Sequence, residues 1–386
     1  MTRLPRIGGG GDASARRRAV AVWGLGLAFH LILSPHLRPA TSAEPEAAKY
    51  PHKSVKRAEF GIGARSYWIF EPAEPSPSKA SVVVLNHGWL AVNPASYGAW
   101  ITHIVKSGHI VIYPRYQADA LTKPIDFLPN ALAAVTDALD VLDTAPKHVR
   151  PDRKRFALVG HSAGGNLAAQ MAAVAAQAGL PKPSAVVAMM PGEVQPMREP
   201  DLSKIPAETL LIVAVAENDR IVGDVRAREI FTEASAIPSS RKKFVFYKTD
   251  LHGLPWLVAH HFAPTAHDAT FDNGDGMLQG LQKSQAEINA LDRAGFWRLT
   301  DMTLAAAFAG QTLDEATNNG AHFRHLGYWS DGRAVTSPVV GDDLAKMPRI
   351  FPTHGVRLIP WPTGDFFRSA EIPDATAKKD DAKTRR

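Results

Sequence analysis

The chain has 386 residues, of which 45% are hydrophobic and 21% are charged, and it contains no cysteine. This composition is too apolar for a disordered chain, and no apolar run reaches the roughly 18 residues that a membrane span needs. The lack of cysteine excludes disulfides, thiolate metal sites and a cysteine nucleophile. The length allows one large domain or two modest ones.

The net charge of +6 is concentrated at the N-terminus. Residues 1–43 contain six arginines and one acid, and they therefore carry +5 of that charge, whereas residues 44–386 carry +1. A body this close to neutral has no electrostatic footprint for nucleic acid, so we expect no nucleic-acid partner.

The N-terminal segment has the pattern of an export signal. Arg16–Arg18 precede an apolar run over 19–33, and small residues end at Ala43. We predict a signal peptide over 1–43, a linker over 44–55 and a secreted or periplasmic protein. Two alternatives remain at this stage: an uncleaved anchor, which would bring a membrane into contact, and a buried helix.

Short apolar runs alternate with helical patterns along the rest of the chain, and this alternation indicates an α/β fold with a mostly parallel sheet and helices on both faces. We predict strands at 59–63, 65–70, 82–85, 110–113, 156–159, 185–190, 210–215 and 244–247. We predict helices at 97–107, 130–146, 163–178 and 224–235. The domain is expected over 56–345, followed by a C-terminal tail over 346–386 whose end is disordered.

Ligands of such sheets bind beyond the carboxyl ends of the strands, so the residues that follow each strand are the candidates for a site. Gly160-His161-Ser162-Ala163-Gly164 follows the strand at 156–159 and opens an Ala-rich helix. This is G-x-S-x-G at a strand-to-helix turn, the context in which the serine hydroxyl is exposed as a nucleophile. Ser162 is therefore the predicted nucleophile.

Acyl transfer needs two backbone N–H donors for the oxyanion that develops in the transition state. One is expected from Ala163, which follows the nucleophile. The other is expected from the loop after the strand at 82–85, where Asn86-His87-Gly88-Trp89 makes Trp89 the most plausible donor.

An acid is needed to orient the base histidine and to stabilise its charged form. Asp219 lies a short turn beyond the strand at 210–215 and is the predicted acid. Glu217 and Asp224 are the alternatives.

The base is predicted to be His252, in the loop after the strand at 244–247. The order Ser, Asp, His is that of α/β-hydrolases. His260, His261 and His267 compete with it, but they lie further along the chain.

Taken together, these motifs resemble a serine hydrolase of the α/β-hydrolase superfamily over about residues 56–340. Within it, the chain looks most similar to the dienelactone-hydrolase and platelet-activating-factor-acetylhydrolase-like branch of esterases. The residues that carry this resemblance are His87-Gly88-Trp89, 160–165, 296–301, 305–310 and 325–332.

The resemblance implies the α/β-hydrolase fold, no cofactor, and cleavage of a small-molecule or lipid ester through a Ser-His-Asp triad and an acyl-enzyme. Acyltransferase and peptidase activity use the same triad, and a non-catalytic binding protein on this scaffold is the alternative from another class. The oligomeric state and the preferred acyl length stay open.

The segment 253–292 is longer than the resemblance leads us to expect between the base and the next helix. Its apolar residues, among them Trp256, are expected to wall the acyl side of the site, and His161 is expected to contact substrate. The histidines and aspartates of this segment match no tight set of metal ligands, so we expect no metal.

Overall fold

The computed structural model describes residues 49–274 and 287–350. The predicted signal peptide over 1–43 lies outside the described residues, as do the start of the linker and the tail from 351 onward. Within the described part of the chain, no helix combines the length and the apolar character that a membrane span requires.

The strands form a single nine-stranded sheet within the described residues. Its strands are β1 (Ser54–Phe60), β2 (Tyr67–Ala73), β3 (Lys79–Asn86), β4 (His109–Pro114), β5 (Arg150–His161), β6 (Ala185–Met189), β7 (Leu210–Ala216), β8 (Lys242–Tyr247) and β9 (Val339–Gly341). The α-helices are α1 (Gly98–Lys106), α2 (Phe127–Thr144), α3 (Ala163–Val174), α4 (Val225–Glu233), α5 (Arg298–Phe308) and α6 (Leu313–Thr317). A π-helix, Leu291–Trp297, runs directly into α5.

The strand order is β1-β2-β4-β3-β5-β6-β7-β8-β9. The strands from β4 to β8 pair in parallel, and antiparallel pairs join β1 to β2, β2 to β4 and β8 to β9. The chain steps from β3 to β4 on one side and then returns past β3 to β5 on the other. In open α/β sheets such a reversal leaves a crevice at the carboxyl ends of the strands. The predicted mostly parallel sheet is confirmed.

Each face of the sheet has its own hydrophobic core. Val82 and Val84 pack with α2, α3 and α4 on one face, whereas Val83 and Leu85 pack with α1 and α5 on the other. Because successive side chains of a strand point to opposite faces, a run of apolar residues without polar alternation fills both cores at once.

The first two strands lie a few residues away from their predicted positions. β1 ends at Phe60, and the chain turns through Gly61, whose φ of +73° suits glycine. β2 begins only at Tyr67, which pairs with Phe60. The short strand β9 was not predicted, because three residues give too little periodicity.

Two buried histidines sit in surroundings that keep them neutral. Burial lowers the pKa of His109 to about 4, and burial together with the charge of neighbouring His261 lowers the pKa of His161 to about 3. In the unfolded chain the same groups titrate near pH 6.5. The unfolded state therefore binds protons that the folded state excludes.

Acidification from pH 6.5 to pH 5 should consequently lower the free energy of unfolding. Below its unfolded pKa, each of these histidines lowers the free energy of unfolding by at most about 1.4 kcal/mol for every pH unit of acidification, because only the unfolded state takes up the proton. Urea denaturation across this range measures the slope. His109→Gln, which cannot take up the proton, should reduce that slope by the share of one histidine. Stability that is flat or rising on acidification would contradict the expectation.

Candidate active site

Ser162 occupies a sharp turn between β5 and α3. Its φ and ψ are 57° and −126°, whereas β5 ends one residue earlier and α3 begins one residue later. A positive φ is costly for a residue with a side chain, and such residues cluster at functional sites. The chain reverses direction at Ser162, and the serine sits at the carboxyl edge of the sheet.

The glycines around Ser162 have a steric cause. A Cβ on Gly160 would lie 2.0 Å from the carbonyl oxygen of Gly164. A Cβ on Gly164 would lie 2.2 Å from the carbonyl oxygens of Asn86 and His87, at the end of β3. Both positions therefore require glycine, and this close approach brings the loop after β3 against the serine.

A chain of hydrogen bonds links Ser162, His261 and Asp219. His261 Nε2 lies 2.9 Å from Ser162 Oγ, and His261 Nδ1 lies 2.8 Å from Asp219 Oδ2. Because an ionised carboxylate only accepts, Nδ1 donates to Asp219 and Nε2 accepts the proton of the serine hydroxyl. The three side chains are buried, with 5% of Ser162, 5% of His261 and 1% of Asp219 exposed.

Asp219 is stabilised in its charged form. Burial is the largest influence and opposes ionisation, but the charge of His261, its hydrogen bond and two backbone N–H groups outweigh it and lower the pKa of Asp219. Those N–H groups belong to Ile221 and Val222, which donate to Oδ1 at 2.9 and 3.0 Å. The carboxylate is thus fixed on one oxygen and presents the other to the imidazole.

The structure corrects the expectation for His252, because it is His261 that meets Ser162 and Asp219. His252 lies on a surface turn, where its Nε2 is 2.7 Å from Asp331 Oδ2 and its Nδ1 is 3.0 Å from an Arg333 nitrogen. The sequence alone leaves His261 as one of three alternatives to His252.

The reason for this difference is a hairpin between β8 and His261. Asp250 and Leu257 exchange two backbone hydrogen bonds of 2.9 Å and close the turn that carries His252. The chain then returns to the sheet, where the Asn218 N–H donates to the Ala259 carbonyl at 2.8 Å. His261, the base candidate, therefore follows this hairpin and lies inside the segment 253–292.

The competing acids have other partners. Glu217 accepts from the Thr249 N–H at 2.8 Å, and Asp224 accepts from Arg228 Nε at 2.6 Å. Of the three acids considered, Asp219 alone hydrogen-bonds His261 among the described residues.

The N–H groups of Trp89 and Ala163 have no hydrogen-bond partner within residues 49–274 and 287–350. The loop that carries Trp89 lies against the nucleophile, because a Cβ on Gly88 would be 3.3 Å from Ser162 Cβ. The N–H groups beside it are engaged: Gly88 by the Tyr97 hydroxyl at 3.0 Å, Leu90 by Gln117 Oε1 at 2.9 Å, and Ala91 by the Gly88 carbonyl at 3.0 Å. Among residues 88–91, Trp89 is thus the donor without a protein partner.

Two residues expected to touch substrate lie in different surroundings. His161 is buried with 2% exposed, and both of its ring nitrogens are bonded to protein groups, so it has no free nitrogen for substrate. Trp256 is 58% exposed on the hairpin turn. Its role in acyl binding stays a prediction.

No cluster of three or more potential metal ligands occurs within residues 49–274 and 287–350. Asp268 caps the 3-10 helix Ala269–Phe271, and Asp272 accepts from Asn93 Nδ2 at 2.8 Å. Asp275 lies outside the described residues.

Residues 83–259 match a family model described as alpha/beta hydrolase fold. The protein has the α/β-hydrolase fold. The match supports the superfamily and indicates a hydrolase. The matched residues run from β3 to beyond β8 and include Ser162 and Asp219, but they end two residues before His261. No curated protein matches the chain in sequence. The resemblance to the dienelactone-hydrolase and platelet-activating-factor-acetylhydrolase-like branch stays a prediction.

Gly164→Ala and Gly165→Ala form a matched pair that tests the steric origin of the turn. The first should lower the free energy of unfolding by about 3 kcal/mol or more, because its methyl group meets backbone carbonyls that cannot retreat. In Gly165→Ala the nearest atoms are the carbonyl oxygens of Met189 and Gly160 at 3.1 and 3.2 Å, so a shift of a few tenths of an ångström relieves the contact, and the loss should stay within about 1 kcal/mol because alanine favours the helix. Chemical denaturation of both variants measures the difference. Equal losses would mean that the turn tolerates a side chain at 164.

Proposed function

We propose that the protein is an exported serine hydrolase that cleaves carboxylic esters through Ser162, His261 and Asp219. The observation that carries this proposal is the buried hydrogen-bond chain of 2.9 and 2.8 Å from the serine hydroxyl through the imidazole to the carboxylate. Nucleophile, base and orienting acid are recognised by this geometry rather than by their places in the sequence.

In the acylation step, Ser162 Oγ attacks the ester carbonyl while His261 Nε2 takes the hydroxyl proton. The tetrahedral intermediate collapses as His261 returns that proton to the leaving alcohol, and an acyl-Ser162 ester and free alcohol result. Asp219 stabilises the imidazolium that forms between the two transfers and keeps Nδ1 protonated.

In the deacylation step, water replaces the alcohol. His261 removes a proton from the water, the hydroxide attacks the acyl carbonyl, and the proton returns to Ser162 Oγ as the carboxylic acid leaves. No cofactor enters either step.

The N–H groups of Trp89 and Ala163 are the proposed donors to the oxyanion. Two preorganised N–H groups stabilise the negative charge where it develops and reorganise little during the reaction. Ala163 also opens α3, so the positive end of the helix dipole points at the same place. The proposed substrate is a small-molecule or lipid ester.

Export is proposed on the sequence of residues 1–43 alone, and N-terminal sequencing of the mature protein tests it. A chain that begins at Glu44 supports cleavage. An intact Met1 on a membrane-bound form would favour the anchor instead.

His261→Ala should reduce kcat for p-nitrophenyl esters by about 10⁶-fold, and Ser162→Ala should do the same. His252→Ala is the matched control and should keep near wild-type kcat, because its side-chain partners Asp331, Arg333 and Trp329 lie outside the proposed triad. A fluorophosphonate probe should label wild type but not Ser162→Ala. Loss of activity in His252→Ala with activity retained in His261→Ala would overturn the assignment of the base.

Asp219→Asn should lower kcat roughly 10⁴-fold, which is less than the loss from removing the nucleophile. The amide no longer stabilises the imidazolium. Triad members act as a unit, so combining Asp219→Asn with His261→Ala should cost little beyond His261→Ala alone. Steady-state kinetics of the two single variants and the double variant measure this, and additive losses would contradict a triad.

A further inference from the structure

A second hydrogen-bond chain connects the loop that carries Trp89 to the backbone of His261. The Gly88 N–H donates to the Tyr97 hydroxyl oxygen at 3.0 Å, and the Tyr97 hydroxyl lies 2.7 Å from His161 Nδ1. His161 Nε2 lies 2.7 Å from the His261 carbonyl oxygen. Tyr97 and His161 are buried, with 1% and 2% of their surfaces exposed.

The groups at the two ends fix the direction of every bond in this chain. The Gly88 N–H can only donate, and the His261 carbonyl can only accept. His161 therefore carries its proton on Nε2, and its bare Nδ1 accepts from the Tyr97 hydroxyl. The chain closes with every donor and acceptor used once, which a buried polar network requires.

A proton added to His161 would break this arrangement. Nδ1–H would then donate to the Tyr97 hydroxyl oxygen, and the hydroxyl proton would lose His161 as its acceptor. Burial, which lowers the pKa of His161 to about 3, disfavours the same state. His161 is thus neutral at physiological pH and takes no part in proton transfer.

We propose that His161 is a positioning residue, which holds the backbone of His261 and the Gly88–Trp89 loop at fixed places on either side of Ser162. It is the residue before the nucleophile, and its ring centroid lies 4.9 Å from that of His261. Through Nε2 it holds the base, and through Tyr97 it holds the residue before Trp89. This role rests on the proposed function of the triad.

Two substitutions of His161 test its two hydrogen bonds, to Tyr97 and to the His261 carbonyl, one at a time. A glutamine amide reaches the place of Nε2, so His161→Gln can still donate to the His261 carbonyl. An asparagine amide reaches only the place of Nδ1, so His161→Asn leaves that carbonyl without its donor. A displacement of about 1 Å in a catalytic group costs about 10²-fold in rate.

We expect His161→Asn to lower kcat by about 10²-fold with KM nearly unchanged, and His161→Gln to recover at least ten-fold of that loss. The split between kcat and KM follows because His161 holds catalytic groups and does not touch substrate. Equal kcat in His161→Asn and wild type, or equal losses in the two variants, would overturn the proposal.

Tyr97→Phe removes the middle of the chain and should lower kcat as well. Combining it with His161→Asn should be clearly less than additive, because both changes break one network. Tyr67→Phe is the control for loss of a buried tyrosine hydroxyl. The Tyr67 hydroxyl donates to Asp137 over a distance of 2.5 Å, and this bond lies outside the site, so the variant should leave kcat unchanged. Additive losses would mean that Tyr97 and His161 act separately.

A readout that does not depend on ester turnover is the proton NMR signal of His261 Nδ1–H, assigned by its loss in His261→Ala. It should shift or broaden in His161→Asn and stay in place in His161→Gln and Tyr67→Phe. If wild type turns over no ester but this pattern holds, the proposed function fails and the positioning role stands. A signal that is identical in all folded variants would overturn the positioning role.

Discussion

The turn at Ser162 is the constraint on which the rest of the site depends. A serine with φ of 57° reverses the chain only where the neighbouring backbones can approach without side chains between them. Gly160 and Gly164 supply that space, and the carbonyls that lie 2.2 Å from a Cβ at 164 belong to the end of β3. The geometry that presents the hydroxyl to His261 thus also draws in the loop that carries Trp89, the proposed second oxyanion donor. Enlarging this turn would separate the nucleophile from that loop.

The proposed acid and base are joined through their backbones as well as through their side chains. The Asn218 N–H donates to the Ala259 carbonyl at 2.8 Å, one residue before Asp219 and two before His261. The loop after β7 and the segment that returns from the hairpin therefore form one unit. Because a rigid sheet carries both loops, they hold their side chains within hydrogen-bond distance although 41 residues of sequence lie between them.

The strands of the sheet core could be predicted from the sequence because apolar runs that fill both faces leave a clear pattern. The turn at Ser162 could be predicted because the glycines that its geometry requires are visible in the sequence as G-x-S-x-G. The position of Asp219 near the site could be predicted because only a short loop separates it from the end of β7. His261 could not be predicted, since nothing in local periodicity shows that the chain closes a hairpin between Asp250 and Leu257 first. The only sequence signal for His261 is that it is one of several histidines that follow β8. The part played by His161 was hidden for another reason: its partners lie 64 and 100 residues away.

The neutrality of His161 bears directly on the chemistry proposed for its neighbour. In the proposed mechanism His261 becomes an imidazolium in the transition state, and its ring centroid is 4.9 Å from that of His161. Two positive charges at that separation would repel by about 3 kcal/mol at an effective dielectric constant of about 20, or roughly a hundred-fold in rate. Burial and a fully used hydrogen-bond chain keep the charge off His161. A histidine can therefore sit beside the proposed base because it is locked as a neutral Nε2–H tautomer. A lysine or arginine at the same position would offer a donor to the His261 carbonyl, but it would oppose the charge on which the reaction depends.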